Sequence, residues 1–173
     1  MNQSIHSIDV LQWLMGPVRS VYAYTDTLAH RMETEDVAVA VLRFENGALG
    51  TIAATTGAYP GVSTRIGIFG DQGSAIIEND ELAYLHLARD DREEMGAYGI
   101  NPKADVQIEK TAGAAQNAAA LAIRGHALQF ADMIRAIREN GTPLVDGYAG
   151  RKTVEIILAI YESARTHQEV LLS

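Results

Sequence analysis

The chain has 173 residues, of which 47% are hydrophobic and 21% charged, an ordinary balance for one water-exposed globular domain. Fourteen Lys and Arg against 22 Asp and Glu give a formal charge of -8, and no basic stripe exists to meet a nucleic acid. The absence of cysteine excludes disulfides and thiolate chemistry; no apolar run spans a bilayer and no signal peptide opens the chain, so a cytoplasmic location is expected.

The first predicted element is a helix over Asn2–Met15. Ile5, Ile8, Leu11 and Met15 recur at helical spacing, Val10 and Leu14 widen the arc, and Gly16-Pro17 stops it. Asn2, His6, Asp9 and Trp13 follow at i, i+4, i+7 and i+11 and form one stripe bordered by apolar surface. An imidazole between an amide and a carboxylate is a candidate acid/base group. The same pattern fits a hydrogen-bonded core histidine. Asn2 also fits a plain helix cap. A helix that starts at residue 2 suggests a piece of something longer.

After Pro17 the period changes. Val18–Thr25 reads as a strand, Leu28–Glu35 as a loop and Asp36–Phe44 as a strong strand. Asn46-Gly47 is a hairpin signal leading into Ala48–Thr56. Gly57–Gly61 breaks the run, and three further strands follow, Thr64–Gly70, Ser74–Glu78 and Leu82–Leu87, joined by tight turns. In the second strand Val37, Val39 and Val41 point one way and Ala38, Ala40, Leu42 and Phe44 the other. Both faces are apolar, so both call for a cover. Helices of the chain supply one, and a second subunit is the favoured cover for the other.

Arg89–Ala120 reads as a long, weakly structured excursion that opens with a solvated charge run. Two helices close the chain. The first lines up Ile123, Ala127, Phe130, Ile134 and Ile137 and ends near Asn140-Gly141. The second is opened by Asp146-Gly147 and carries Val154, Ile157, Leu158, Tyr161 and Ala164, widened by Ile156 and Ile160. Val170-Leu171-Leu172 adds a short edge strand, and there is no internal repeat.

Three stretches share a resemblance. Met1–Asp9 resembles the signature that opens the C-terminal domain of the Gfo/Idh/MocA oxidoreductases, approximately [Asp/Asn]-x-Gly-x-His-x-x-Asp-x-x-x-x-Leu-x-Gly. Asn2, His6, Asp9, Leu14 and Gly16 match it, while Ser4 replaces the usual glycine. Ile68–Ser74 resembles the family's strand-turn-strand with paired glycines. Gly141–Gly147, Gly150-Arg151-Lys152 and Val154–Ala164 resemble its closing segment. The likeness covers nearly the whole chain in the right order.

The resemblance implies an α+β fold of the dihydrodipicolinate reductase-like kind. That is a large open, mainly antiparallel sheet with helices on one face and the other often used for oligomer contacts. Residues 1–173 are then a single C-terminal domain for substrate binding and oligomerisation. The N-terminal Rossmann domain of the family, with its dinucleotide and Glu-Lys-Pro lysine, is absent, and no Gly-x-Gly-x-x-Gly occurs here. NAD or NADP is implied for the intact protein and none for this chain, which is expected to be inactive alone.

In relatives the histidine matching His6 acts on the substrate hydroxyl during hydride transfer on a sugar, cyclitol or related polyol. The residue one turn earlier is often Asp and is here Asn2, which orients an imidazole but takes no proton. The resemblance thus implies His6 and Asn2 as catalytic candidates, and assigns Asp9 to holding the helix rather than to chemistry. Tyr59, in the glycine-flanked break, and His126, at the start of a helix, are candidate substrate contacts. Two other readings compete: a stand-alone non-catalytic binding or scaffold domain, and a metal-dependent isomerase or hydrolase using His6 and Asp9. No close-spaced ligand pair supports the latter, and no metal is expected.

Overall fold

The computed structural model describes residues 4–61, 63–87 and 118–172. Its elements are α1 (Ile5–Met15), β1 (Val18–Asp26), β2 (Val37–Phe44), β3 (Leu49–Thr55), β4 (Arg65–Gly70), β5 (Gly73–Glu78), β6 (Glu81–Leu87), α2 (Ala118–Arg138), α3 (Gly147–Thr166) and β7 (Val170–Leu171). The fold is α+β and its strand pairs are antiparallel, as expected. The excursion expected over Arg89–Ala120 lies outside the described residues up to 117, and α2 is already helical at Ala118. The chain divides into two compact units, Met1–Val62 with Ala131–Ser173, and Ser63–Phe130.

The larger unit holds a sheet in the order β3-β2-β1-β7. Ala38, Ala40, Leu42 and Phe44 of β2 are buried together with Val18, Val21 and Ala23 of β1 and Ile52 of β3. A bulge between Val18 and Ser20 brings Ser20 and Val21 inside in succession. Ile8 of α1 and Ile156, Ala159 and Ile160 of α3 complete this core, with Leu11 and Met15 packed at its margin. Each such aliphatic side chain contributes about 1.5 to 3 kcal/mol by leaving water. Gly50 sits where a Cβ would lie 3.0 Å from the Phe44 ring, so the ring occupies the space a side chain would need.

The sequence places a hairpin at Asn46-Gly47, and one forms there. Phe44 N–H donates to Ala48 O and Gly47 N–H to Phe44 O, with Gly47 at φ 89°. Asn46 does more than turn. Its amide donates to Met15 O at 3.0 Å and so ties the hairpin to the last turn of α1. A two-residue turn with both φ values positive is instead Asn79-Asp80 in the smaller unit, where Glu78 pairs with Glu81. That unit carries the sheet β4-β5-β6.

The buried face of α3 differs from the expected one. Thr153, Ile156, Ala159, Ile160 and Ser163 are buried, while Val154, Leu158 and Tyr161 of the predicted stripe are exposed. Two hydroxyls explain the rotation. Thr153 reaches α1, as described below. Ser163 Oγ accepts from Ala23 N at 2.9 Å and donates to Gln168 O at 2.6 Å. β7 pairs with only Ser20 and Val21 of β1, and two residues further on this hydroxyl takes the place of a strand. Likewise Phe130, Ile134 and Ile137 of α2 are exposed rather than core, and Ala136 is the buried one of its described side chains. Ser163→Ala leaves the buried Ala23 N–H without this partner and removes the bond to Gln168 C=O. It should lower the unfolding free energy by about 2 kcal/mol in chemical denaturation, against a few tenths at most for the exposed Thr51→Ala.

Candidate functional site

α1 has no side-chain cap at Ser4 and no acidic residue in its first turn. Three turns of helix are marginal alone, so its form rests on tertiary anchors. Ile8, Leu11 and Met15 face the core. His6, Asp9 and Trp13 turn the other way, and Trp13 is 79% exposed. Of the stripe expected from the sequence, His6, Asp9 and Trp13 are described, and all three are exposed. His6 is not a core histidine: its ring is exposed and makes no side-chain hydrogen bond among the described residues. Asn2 lies outside the described residues.

Asp9 is engaged structurally. Its Oδ1 accepts from Thr153 Oγ1 at 2.6 Å, linking α1 to the buried face of α3. Tyr59 is 98% exposed in the Gly57–Gly61 break, beside a cis bond to Pro60. His126 is exposed on α2, within the smaller unit. No described hydrogen bond or ion pair joins Tyr59 to His6. Among the described residues no three His, Asp or Glu side chains converge as metal ligands. No described helix is long and apolar enough to cross a membrane.

Near the start of α1 the structure holds a feature not anticipated from the sequence. A cavity of about 210 Å³ lies between Ser4, the β1–β2 loop residues Met32, Thr34 and Glu35, and Thr55-Thr56 at the end of β3. His6, Tyr59 and His126 do not line it. The loop is organised by Asp36, whose carboxylate accepts from the backbone N–H of Leu28, Ala29 and His30, each at 2.7 Å. His30 Nδ1 adds a fourth contact at 3.2 Å. Asp36 C=O in turn accepts from Thr55 Oγ1 and Thr56 N. Its sequence signal was only a polar residue at the head of a strand; β2 in fact begins one residue later. Beside the cavity Tyr161 donates to Glu35 Oε1 at 2.9 Å; burial and this carboxylate push its phenol up to about 12.

The glycines at 70 and 73 form no phosphate cradle. They pair across the β4–β5 turn, and a Cβ on Gly73 would collide with His86 O, so close backbone approach accounts for that glycine.

An α+β layout with antiparallel sheets and a helix that presents a histidine with Asp three residues on is shared with the C-terminal domains of oxidoreductases. The family model described as "Oxidoreductase family, C-terminal alpha/beta domain" matches residues 1–172. The chain belongs to the Gfo/Idh/MocA oxidoreductase family. It is 34% identical over 84 residues, 46% of its length, to the myo-inositol 2-dehydrogenase of Thermotoga maritima, of which the match covers 25%. It is 34% identical over 96 residues, 53% of its length, to the oxidoreductase YrbE of Bacillus subtilis, of which the match covers 28%. The matches thus span about a quarter of each of these relatives. Among solved structures the WlbA dehydrogenase of Bordetella pertussis, in complex with NADH and UDP-GlcNAcA, superposes with a TM-score of 0.75 at 31% identity. That match covers all of this chain and 44% of the other. The chain is therefore a C-terminal oxidoreductase domain related to sugar and polyol dehydrogenases.

Backbone N–H donors hold the Asp36 carboxyl down from its ordinary 3.8 to about 2, with Leu28 the largest contributor. The folded value lies below the ordinary one, so folding favours the ionised form. The contribution is complete above pH 3.8 and fades as the pH falls through 2. Asp36→Ala should therefore flatten the stability loss over this acid range. At neutral pH it should speed amide exchange at Leu28, Ala29 and His30, read by NMR.

Proposed function

We propose that the chain is the substrate-binding and oligomerising half of an NAD(P)-dependent dehydrogenase that oxidises a sugar, cyclitol or related polyol, and that His6 is its proton acceptor. The observation that carries this reading is the exposed, unengaged imidazole on α1. A base must be reachable and must keep a lone pair free. Oxidation of a secondary alcohol releases the hydroxyl proton as the carbon gives up hydride. The hydride acceptor is a nicotinamide carried by another part of the protein, and this chain supplies the proton path.

Asn2, four residues before His6, orients the ring or a substrate hydroxyl as a hydrogen-bonding amide; it cannot accept the proton. An Asp-His dyad is thus not part of the proposed mechanism. Tyr59 and His126 remain proposed substrate contacts, supported by exposure alone. The exposed Trp13 beside the His6 face supports a further protein layer over α1 in the intact enzyme. Without that layer and its dinucleotide the isolated chain should not turn over.

The open sheet face supports association of copies of the chain. Tyr24, Val39, Val41 and Leu49 are 58%, 48%, 53% and 67% exposed, and the register sets Tyr24 against Val39 and Tyr22 against Val41. Such a continuous apolar face costs free energy in water unless covered.

Two outcomes are expected. In the intact enzyme His6→Ala should reduce kcat by about a hundredfold or more, while Asp9→Asn, which keeps an acceptor oxygen for Thr153, should reduce it far less. Small and equal effects would return the chain to a non-catalytic binding domain. In sedimentation equilibrium the 173-residue chain should be a dimer or larger, and Val41→Lys should shift it to monomer. A monomeric parent at high concentration would remove the argument from the sheet face.

A further inference from the structure

α1 is tied to the rest of the larger unit at two polar points. At its C-terminal end Asn46 donates to Met15 O, and Glu45 N–H donates to Pro17 O just beyond. At its middle Thr153 Oγ1 donates to Asp9 Oδ1 at 2.6 Å across 144 residues of chain. The first tie fixes where the helix ends. The apolar anchors Ile8, Leu11 and Met15 choose which side of the helix faces the core, and aliphatic packing leaves play in its finer rotation. A hydrogen bond is directional. The tie from Thr153 reaches the helix one turn from His6, about 4.5 Å along the axis.

Thr153 is itself an immobile donor. It is 3% exposed and shares the buried face of α3 with Ile156 and Ile160, so its hydroxyl is placed by the core. On α1 the opening turn that carries His6 has no side-chain cap and no acidic residue to steady it. We propose that Thr153 is the positioning residue for His6: through Asp9 it sets the rotation of α1 about its axis and hence the direction in which the imidazole is presented. This rests on the reading of His6 as proton acceptor and adds to it the device that aims the ring. It also gives Asp9 a role that needs no charge, since an amide oxygen accepts the same bond.

The test uses the 173-residue chain and NMR. Thr153→Val removes the donor at similar volume, Thr153→Ser keeps it, and Asp9→Asn keeps an acceptor. In Thr153→Val the residual dipolar couplings of the Ile5–Met15 amides should change while those of β1–β3 hold. The His6 ring signal should move, and amide exchange in the first two turns of α1 should rise about tenfold or more. Thr153→Ser and Asp9→Asn should keep the parent values.

Unchanged α1 couplings and an unmoved His6 ring in Thr153→Val overturn the proposal. So does a change spread equally over helix and sheet, or a serine variant that behaves like valine, since either marks general loosening. The readout needs no turnover and separates the two ideas. If His6→Ala leaves the intact enzyme active while Thr153→Val still moves the ring, the catalytic role of His6 falls and the latch stands. If the ring does not move, the latch falls and the catalytic role is judged by turnover alone.

Discussion

Ile160 is wholly buried, and the packing of the larger unit converges on the face of α3 that it occupies. α3 lies along β1, holds α1 beside it and leads directly into β7. One helix face thus sets the position of the sheet, of the candidate acid/base helix and of the closing strand. The face works because it is not uniformly apolar. Ile156, Ala159 and Ile160 exclude water, while Thr153 and Ser163 at its two ends each place a hydroxyl on a specific partner. Each of these bonds is worth about 1 kcal/mol net, less than the burial around it. Their value lies in direction: burial of the apolar stripe chooses which side of each helix faces inward, and the hydroxyls refine that rotation to one setting.

The Asp36 loop follows the same logic. Three N–H donors close on one carboxylate, and a loop without regular structure becomes a fixed wall beside a small cavity. Ionised acceptors form roughly twice the interaction of neutral ones, which is why a single side chain can organise this turn.

These polar anchors also mark where the sequence stops being legible. α1, the strand order through β6 and the hairpins follow from period, turn residues and glycine placement, and the family from three spaced motifs. The orientation of α3 does not. A count of apolar residues selects Val154, Leu158 and Tyr161, because Thr153 and Ser163 score as surface positions. Their spacing with Ile156 and Ile160, at i, i+3, i+7 and i+10, is a core stripe only once a hydroxyl is counted as satisfied. The exposure of His6 was equally hidden. An amphipathic stripe fixes which residues share a side, and solvent or a neighbour decides whether that side is open.

Ser163 has a last consequence, for how sheets meet. A strand edge recruits another strand by offering a row of free N–H and C=O groups. Along β1 that row is consumed by two residues of β7, by Leu172 N–H on Arg19 O and by the Ser163 hydroxyl on Ala23. β7 is too short to offer a new row of its own. This side of the sheet is blunted, and within the four-stranded sheet β3 is the long edge among the described residues. Growth of the sheet past β1 is thereby discouraged by one buried hydroxyl rather than by a further strand.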